Sequence, residues 1–224
     1  MSQGQSRWFQ FSLGRMLLVV TILCIGPGGY VAYEQQEAQR QDAAVASLNK
    51  LRGTQAYIRA HWLRKWIDGP EAGYVVGLAI LSPQATDSEL APMAALSELV
   101  WIDIDGTEAG DASLAYLAGL KKLQRMRIED TNVTDAGMVY LAGLSELHTL
   151  NLSRTKITDV GMAHLAGLTK MATLDLSRTG ITDESIAVLS GMKNLEMLDV
   201  RKTQITTEGV IKLQKALPNC MIAG

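Results

Sequence analysis

The sequence predicts an α/β fold: a solenoid bent into a horseshoe arc, with about six 24-residue strand–helix repeats, an N-terminal cap and a preceding single transmembrane helix. Three observations predict it. Threonine recurs at 107, 131, 155, 179 and 203, always 24 residues apart. The same apolar frame precedes each one: Leu123, Met126 and Ile128 before Thr131, Leu147, Leu150 and Leu152 before Thr155, and so on through Leu198 and Val200 before Thr203. No charged residue occurs from residue 16 to residue 33. A fixed period in the twenties marks a solenoid, in which each unit buries its core only against its neighbours.

Residues 1–15 form an N-terminal tail containing Arg7 and Arg15. Residues 16–33 follow as a transmembrane helix or signal anchor. Eighteen helical residues span about 27 Å, close to the ~30 Å hydrocarbon core of a bilayer. Gly26-Pro27-Gly28-Gly29 interrupts the run and leaves an apolar core from Met16 to Ile25, the size of a signal-peptide h-region. Three readings stay open: an uncleaved anchor, a cleaved signal and a buried or peripheral helix. Tyr30 stands two before Ala32, so no A-x-A cleavage site is evident, and Leu23 blocks a lipoprotein site at Cys24. Arg7 and Arg15 precede the span, whereas Glu34 and Glu37 follow it. The positive-inside rule then puts the tail in the cytoplasm and the repeats outside it, in the periplasm or on the cell surface. The expected location is a single-pass protein of the cell membrane.

Residues 34–74 read as a helical stalk and N-terminal cap. The stretch from Glu34 to Gln41 is hydrophilic and helix-favouring. Val45, Leu48 and Leu51 then recur at helical spacing until Gly53 stops the helix. Thr54 to Arg59 fits a short strand, and His61 to Ile67 a short helix carrying Trp62 and Trp66. The end layer of a solenoid has no neighbour to cover it, so these tryptophans are expected as the lid of the first repeat. A ligand-binding role is the alternative.

Residues 75–224 hold the repeats. Strands are expected near 75–81, 99–105, 123–129, 147–153, 171–177 and 195–201, with a short closing strand near 219–223. In the first unit Pro83 replaces the ladder threonine. At the far end Leu217, Cys220 and Ile222 repeat the strand frame after 22 residues. Side chains alternate along a strand, so Leu150 and Leu152 point inward while Thr149, Asn151 and Ser153 point outward. A second pattern follows each threonine: Thr134-Asp135-Ala136-Gly137-Met138 leads to Leu141 and Leu144, and Thr158-Asp159-Val160-Gly161-Met162 to Leu165 and Leu168. Thr-Asp supplies a helix N-cap, and the apolar residues keep to one helical stripe. The ladder threonine hydroxyls are placed to bond backbone groups in the turn.

The pattern L-x-x-L-x-L-x-x-T resembles the leucine-rich repeat family, with threonine where many members carry asparagine or cysteine. The strand–helix alternation looks most like the ribonuclease-inhibitor-like subgroup, and especially like the short membrane-anchored repeat proteins of some bacteria. The resemblance covers about two thirds of the chain. It implies a fold and a binding surface. The family shares no catalytic residues, so it implies no enzyme.

Composition and motifs agree with a non-enzymatic scaffold that needs no cofactor. The chain is 47% hydrophobic and 20% charged, with a formal net charge of −2. Nucleic-acid binding would call for a clustered basic face, so nucleic acid is not an expected partner. Cys24 lies in the apolar span and Cys220 at a buried strand position, which leaves no disulfide framework or zinc site. His61, His148 and His164 have no ligand at metal spacing. No nucleophile elbow, Walker motif or dinucleotide fingerprint occurs.

Function is therefore expected on the concave face of the sheet. The outward columns run Gly77, Trp101, Arg125, Thr149, Thr173, Met197; then Ala79, Asp103, Arg127, Asn151, Asp175, Asp199; then Leu81, Asp105, Glu129, Ser153, Ser177, Arg201. A tryptophan beside an arginine pair has the composition of an interface hot spot. Trp101, Asp103, Arg125, Arg127, Asn151, Asp175 and Asp199 are the candidate residues for an unidentified protein partner. The plainer alternative is a solvated face whose opposite charges pair across strands for a few tenths of a kcal/mol each. Arg154, Arg178 and Lys202 line one rim. They read as solvated turn residues or as a site for an anionic polymer, which would make the chain a structural envelope element. A cytoplasmic adaptor is the third possibility and requires the absence of an export signal.

Overall fold

The computed structural model describes residues 33, 35–60 and 73–224. It divides into two compact units, 1–39 and 40–224, with the boundary inside the segment read as stalk and cap. The expected cytoplasmic tail, all of the expected membrane span except Tyr33, and the Trp62–Trp66 helix lie outside the described residues. Among the described residues no helix is long and apolar enough to cross a membrane.

The second unit is built on one eight-stranded sheet whose strands lie side by side in chain order: β1 Thr54–Ala60, β2 Gly73–Ile80, β3 Trp101–Asp103, β4 Arg125–Arg127, β5 Thr149–Asn151, β6 Thr173–Asp175, β7 Met197–Asp199 and β8 Met221–Ala223. β1 pairs antiparallel with β2, and all later pairs are parallel. Each parallel step needs a crossover, and the helical half of each repeat supplies it.

β3 to β7 contain three residues each, against the seven expected from the sequence frame. The chain leaves the strand early because it must turn through a left-handed position. Gly106, Asp130, Arg154, Arg178 and Lys202 occupy that position, with φ between 53° and 66°. Hydrogen bonds between repeats continue through the bend: Arg154 N–H donates to Ser177 O at 3.0 Å and Arg178 N–H to Arg201 O at 2.9 Å. The closing strand also differs from expectation. Leu198 pairs with Ile222, so the register keeps the 24-residue step, not the 22-residue one.

The inward residues Ile102, Met126, Leu150, Leu174 and Leu198 form a continuous buried row with Leu123, Leu147, Met171 and Leu195. Ser153, expected to face outward, is buried as well. The ladder threonines close the turns as their position implies. Thr107, Thr131, Thr155, Thr179 and Thr203 each donate a hydroxyl hydrogen bond to the carbonyl three residues back, at 2.6–2.8 Å.

The Thr-Asp pair divides its work between two repeats. The threonine caps its own helical turn: Thr134, Thr158, Thr182 and Thr206 accept backbone N–H groups at 3.0–3.3 Å. The aspartate reaches across to the next repeat. Asp111 accepts the Thr134 N–H at 2.8 Å and its hydroxyl at 2.7 Å. Asp135 does the same to Thr158, Asp159 to Thr182 and Asp183 to Thr206. The fourth residue of the motif must make room for the carboxylate. At Gly137 an added Cβ would lie 2.5 Å from Asp111 Oδ1. Where serine stands instead, its hydroxyl joins the bond: Ser113 Oγ donates to Asp87 and Ser185 Oγ to Asp159. In the repeat of the last helix, Thr207–Ala216, threonine stands where the other repeats carry the aspartate.

At the start of the sheet, residues 40–48 are helical and place Ala44 and Leu48 on the first layer. Gln41 Oε1 accepts the Val75 N–H at 3.1 Å. β1 covers the outer edge of β2, close to the strand expected over Thr54–Arg59.

Two measurements test the cross-repeat carboxylates. In urea unfolding, Gly137→Ala is expected to cost about 1–3 kcal/mol by pushing the Asp111 carboxylate off Thr134, whereas Thr207→Asp is expected to stay within about 0.5 kcal/mol. Asp159 is pushed up by burial, but the Ser185 and Thr182 donors outweigh this and hold it below the ordinary carboxylate range. The Thr206 hydroxyl and N–H hold Asp183 low as well. A depressed folded pKa contributes stability above the unfolded value and loses it as pH falls through the folded one. Unfolding free energy should therefore drop below about pH 4, and Asp159→Asn should flatten that slope.

Candidate functional site: the outward face of the sheet

The parallel register places every candidate partner-binding residue on one surface. Trp101, Arg125, Thr149, Thr173, Met197 and Met221 are neighbours along one row. Asp103, Arg127, Asn151, Asp175, Asp199 and Ala223 make the next row. Successive strands are about 4.8 Å apart, so each row is a near-continuous line of side chains. Their local roles differ.

The second row is mainly structural. Asp103 Oδ1 accepts the Asp105 N–H at 3.2 Å, and Asn151, Asp175 and Asp199 accept the N–H two residues on at 2.9 Å. These are local side-chain-to-backbone turns that hold the strand exit. Arg127 cannot join them, because a guanidinium has no acceptor. The previous repeat compensates: Asp105 Oδ1 accepts the Glu129 N–H at 2.7 Å. The second oxygen of Asp105 takes Arg127, at 2.8 Å from Nε and 2.5 Å from Nη2. Asp103 lies 3.6 Å from Arg127 Nε, and Asn151 Nδ2 donates to Glu129 at 3.1 Å. The mixed-charge cluster is therefore a connected chain across three repeats. Burial pushes the Asp105 carboxyl up, and the charge of Asp103 adds to this, while the Glu129 amide and Arg127 oppose it. Burial also raises Asp199, but Arg201 outweighs it through side-chain and backbone donors and holds Asp199 low.

The Arg125 side chain is exposed and has no hydrogen bond or ion pair with any described residue. Trp101 is less free than its sequence position implies. Its indole lies over Gly77, where an added Cβ would collide with the ring, and it meets Tyr57 at a centroid distance of 4.8 Å and a tilt of 53°. Gly77 leaves the outward column empty, and the tryptophan fills the gap. The ring therefore packs the first strands together as well as presenting an edge.

The far end of the face carries a feature absent from the candidate set. Met197 is 52% exposed and Met221 70% exposed, side by side in register. They floor a depression of about 260 Å³ together with Thr173, Asp175, Asp199 and Arg201. The 22-residue reading of the last unit aligns Met221 with Asp199 and hides this pair, which the 24-residue step reveals.

On the rim, Arg154 faces Asp130 at 3.7 Å, while Arg178 and Lys202 have no ion pair among the described residues. Among the described residues no three His, Cys, Asp or Glu side chains are grouped to hold a metal ion. Burial pushes the free Cys220 thiol up.

Comparison with known proteins agrees with this geometry. Residues 121–181 match a leucine rich repeat family model and residues 191–213 match a second one. Among solved structures the chain is similar to internalin C2 of Listeria monocytogenes, at a TM-score of 0.50 and 23% identity over 66% of this chain and 70% of that one. It is also similar to a leucine-rich repeat protein of Leptospira interrogans (0.46, 18%, covering 60% and 39%) and to an internalin F of Listeria monocytogenes (0.40, 20%, covering 59% and 49%). The chain spans less than half the length of the last two. No curated protein matches it. The fold is thus an alternating strand–helix leucine-rich repeat solenoid.

Trp101→Ala is expected to lower unfolding free energy by about 1–3 kcal/mol, less than a fully buried tryptophan costs. Arg125→Ala should stay within about 0.5 kcal/mol. Thermal and urea unfolding of the two variants checks both values.

Proposed function

We propose that this chain is a membrane-anchored leucine-rich repeat protein that captures a protein partner on its sheet face. Leucine-rich repeat proteins generally act as non-enzymatic interaction scaffolds, because a repetitive face offers many side chains and little enclosed volume. The observation that carries the reading is the asymmetry of the face. The Arg125 side chain is unpaired among the described residues and Arg125 is the register neighbour of Trp101, while the cluster around Arg127 is internally satisfied. A free cation next to an aromatic ring is an arrangement that a partner's carboxylate and apolar side chain complete.

The uncharged run over residues 16–33, with Arg7 and Arg15 before it, supports a single-pass anchor with the N-terminus in the cytoplasm and the repeats outside. The resemblance to short membrane-anchored bacterial proteins of ribonuclease-inhibitor-like type points the same way. A second reading draws on the rim. Arg178 and Lys202 are held outward on left-handed turns without ion pairs among the described residues, which suits an anionic envelope polymer.

The test is a crosslinked pull-down from native envelope extract, with the natural chain and an Arg125→Ala, Arg127→Ala variant as baits. A protein enriched by the first and lost with the second is the expected result. Equal recovery on both baits would sink the sheet-face reading. Capture of polymer alone, lost at high salt, would move the function to the rim.

A further inference from the structure

The methionine depression at the far end of the sheet face carries a charge of its own. Met197 and Met221 lie in register on its floor, and Asp175, Asp199 and Arg201 line the same hollow. Two carboxylates against one guanidinium leave it net negative. The two carboxylates are not equivalent. Asp199 has its own cation: Arg201 Nε lies 3.0 Å from each of its oxygens, and Arg201 Nη2 pairs with it as well. Asp175 gives Oδ1 to the Ser177 N–H at 2.9 Å, and its other oxygen has no hydrogen bond or ion pair among the described residues. Its register neighbours are Asn151, which is neutral, and Asp199, which Arg201 already holds.

The fold does not require this charge. The turn needs an acceptor at the Asp175 position, and a neutral amide serves: Asn151 Oδ1 accepts the Ser153 N–H at 2.9 Å in the equivalent place. Nor does the core require the methionines. Leu174 and Leu198 fill it beneath them, while Met197 and Met221 are 52% and 70% exposed.

Size and charge limit what fits. The depression measures about 260 Å³, below the ~300–1,000 Å³ of small-molecule sites, so it suits a single side chain. A wholly apolar side chain would cover the Asp175 charge without pairing it. An acidic one would be repelled. A basic one satisfies both halves of the hollow. Its methylene stem lies on the two thioethers, which adapt in shape, and its head meets the free oxygen of Asp175. Arginine pairs best through two parallel N–H bonds to both carboxylate oxygens, and one oxygen of Asp175 is spent. A lysine ammonium is a point charge that needs only the other.

We propose that the depression is a subsite for a lysine side chain of the captured protein, a specificity element that rests on the sheet-face reading above. Arg125 selects for a carboxylate at one end of the face, and Asp175 with the methionine pair selects for an ammonium at the other.

The test is methyl NMR on the full chain in mild non-ionic detergent, with isotope-labelled methionine methyls, titrated with acetyl-lysine amide. Spectra of Met197→Leu and Met221→Leu assign the two resonances. Both resonances are expected to shift saturably in the millimolar range. Acetyl-norleucine amide, which lacks the ammonium, should bind about tenfold more weakly or worse. Asp175→Asn should weaken the lysine probe to a similar degree, with an unchanged circular dichroism spectrum because the turn keeps its acceptor. Equal affinity for the two probes would overturn the proposal, and that comparison needs no variant to fold. So would lysine binding unaltered in Asp175→Asn, or methionine resonances that do not move. The titration reads the depression and the pull-down reads the arginines, so the lysine subsite and the sheet-face capture fail in separate experiments.

Discussion

No repeat in this solenoid has a core of its own, so each must be positioned by its neighbour. The carboxylates of Asp111, Asp135, Asp159 and Asp183 do this by accepting both the N–H and the hydroxyl of the next capping threonine. Hydrogen bonds to a charged acceptor are stronger than neutral ones. They are also directional, which apolar packing is not. They fix the spacing of the helical turns, and that fixes the crossover which returns each strand to the same register. The two rows on the sheet face exist only because this step does not vary.

The sheet face carries two kinds of polar residue that look alike in sequence. Asp103, Asn151, Asp175 and Asp199 spend an oxygen on their own turn. Arg127 is absorbed by Asp105, whose other oxygen replaces the missing turn acceptor. Removing these satisfied groups from the account leaves Arg125, the edge of Trp101, the second oxygen of Asp175 and the methionine pair as the parts of the face with unspent binding capacity. The two ends of the sheet thus offer different chemistry, cationic and aromatic at β3–β4 and apolar at β7–β8.

The helical side is constrained only where it meets the sheet. A solenoid needs its inward helical residues apolar and leaves the outward ones unconstrained. The left-handed turns at Arg154, Arg178 and Lys202 are similar in this respect. Glycine serves at Gly106, and long cations elsewhere accept the backbone cost while projecting outward.

By itself the sequence determined the repeat, its 24-residue step, the buried frame and the turn role of the ladder threonines, because periodic apolar residues and hydroxyls act locally and identically in every unit. It also placed the seven candidate residues on one face, since strand alternation and register are set by that same period. Only the tertiary structure decided which of them are free. Whether Arg127 is paired, whether Trp101 covers Gly77, and whether Met221 meets Met197 depend on contacts between repeats. Strand length was likewise decided in three dimensions, by the left-handed exit that follows each strand. The aspartate of the Thr-Asp pair shows the same division. Its identity is plain in the sequence, but its bond is made 23 residues away, to a group that only the stacked repeats bring within reach.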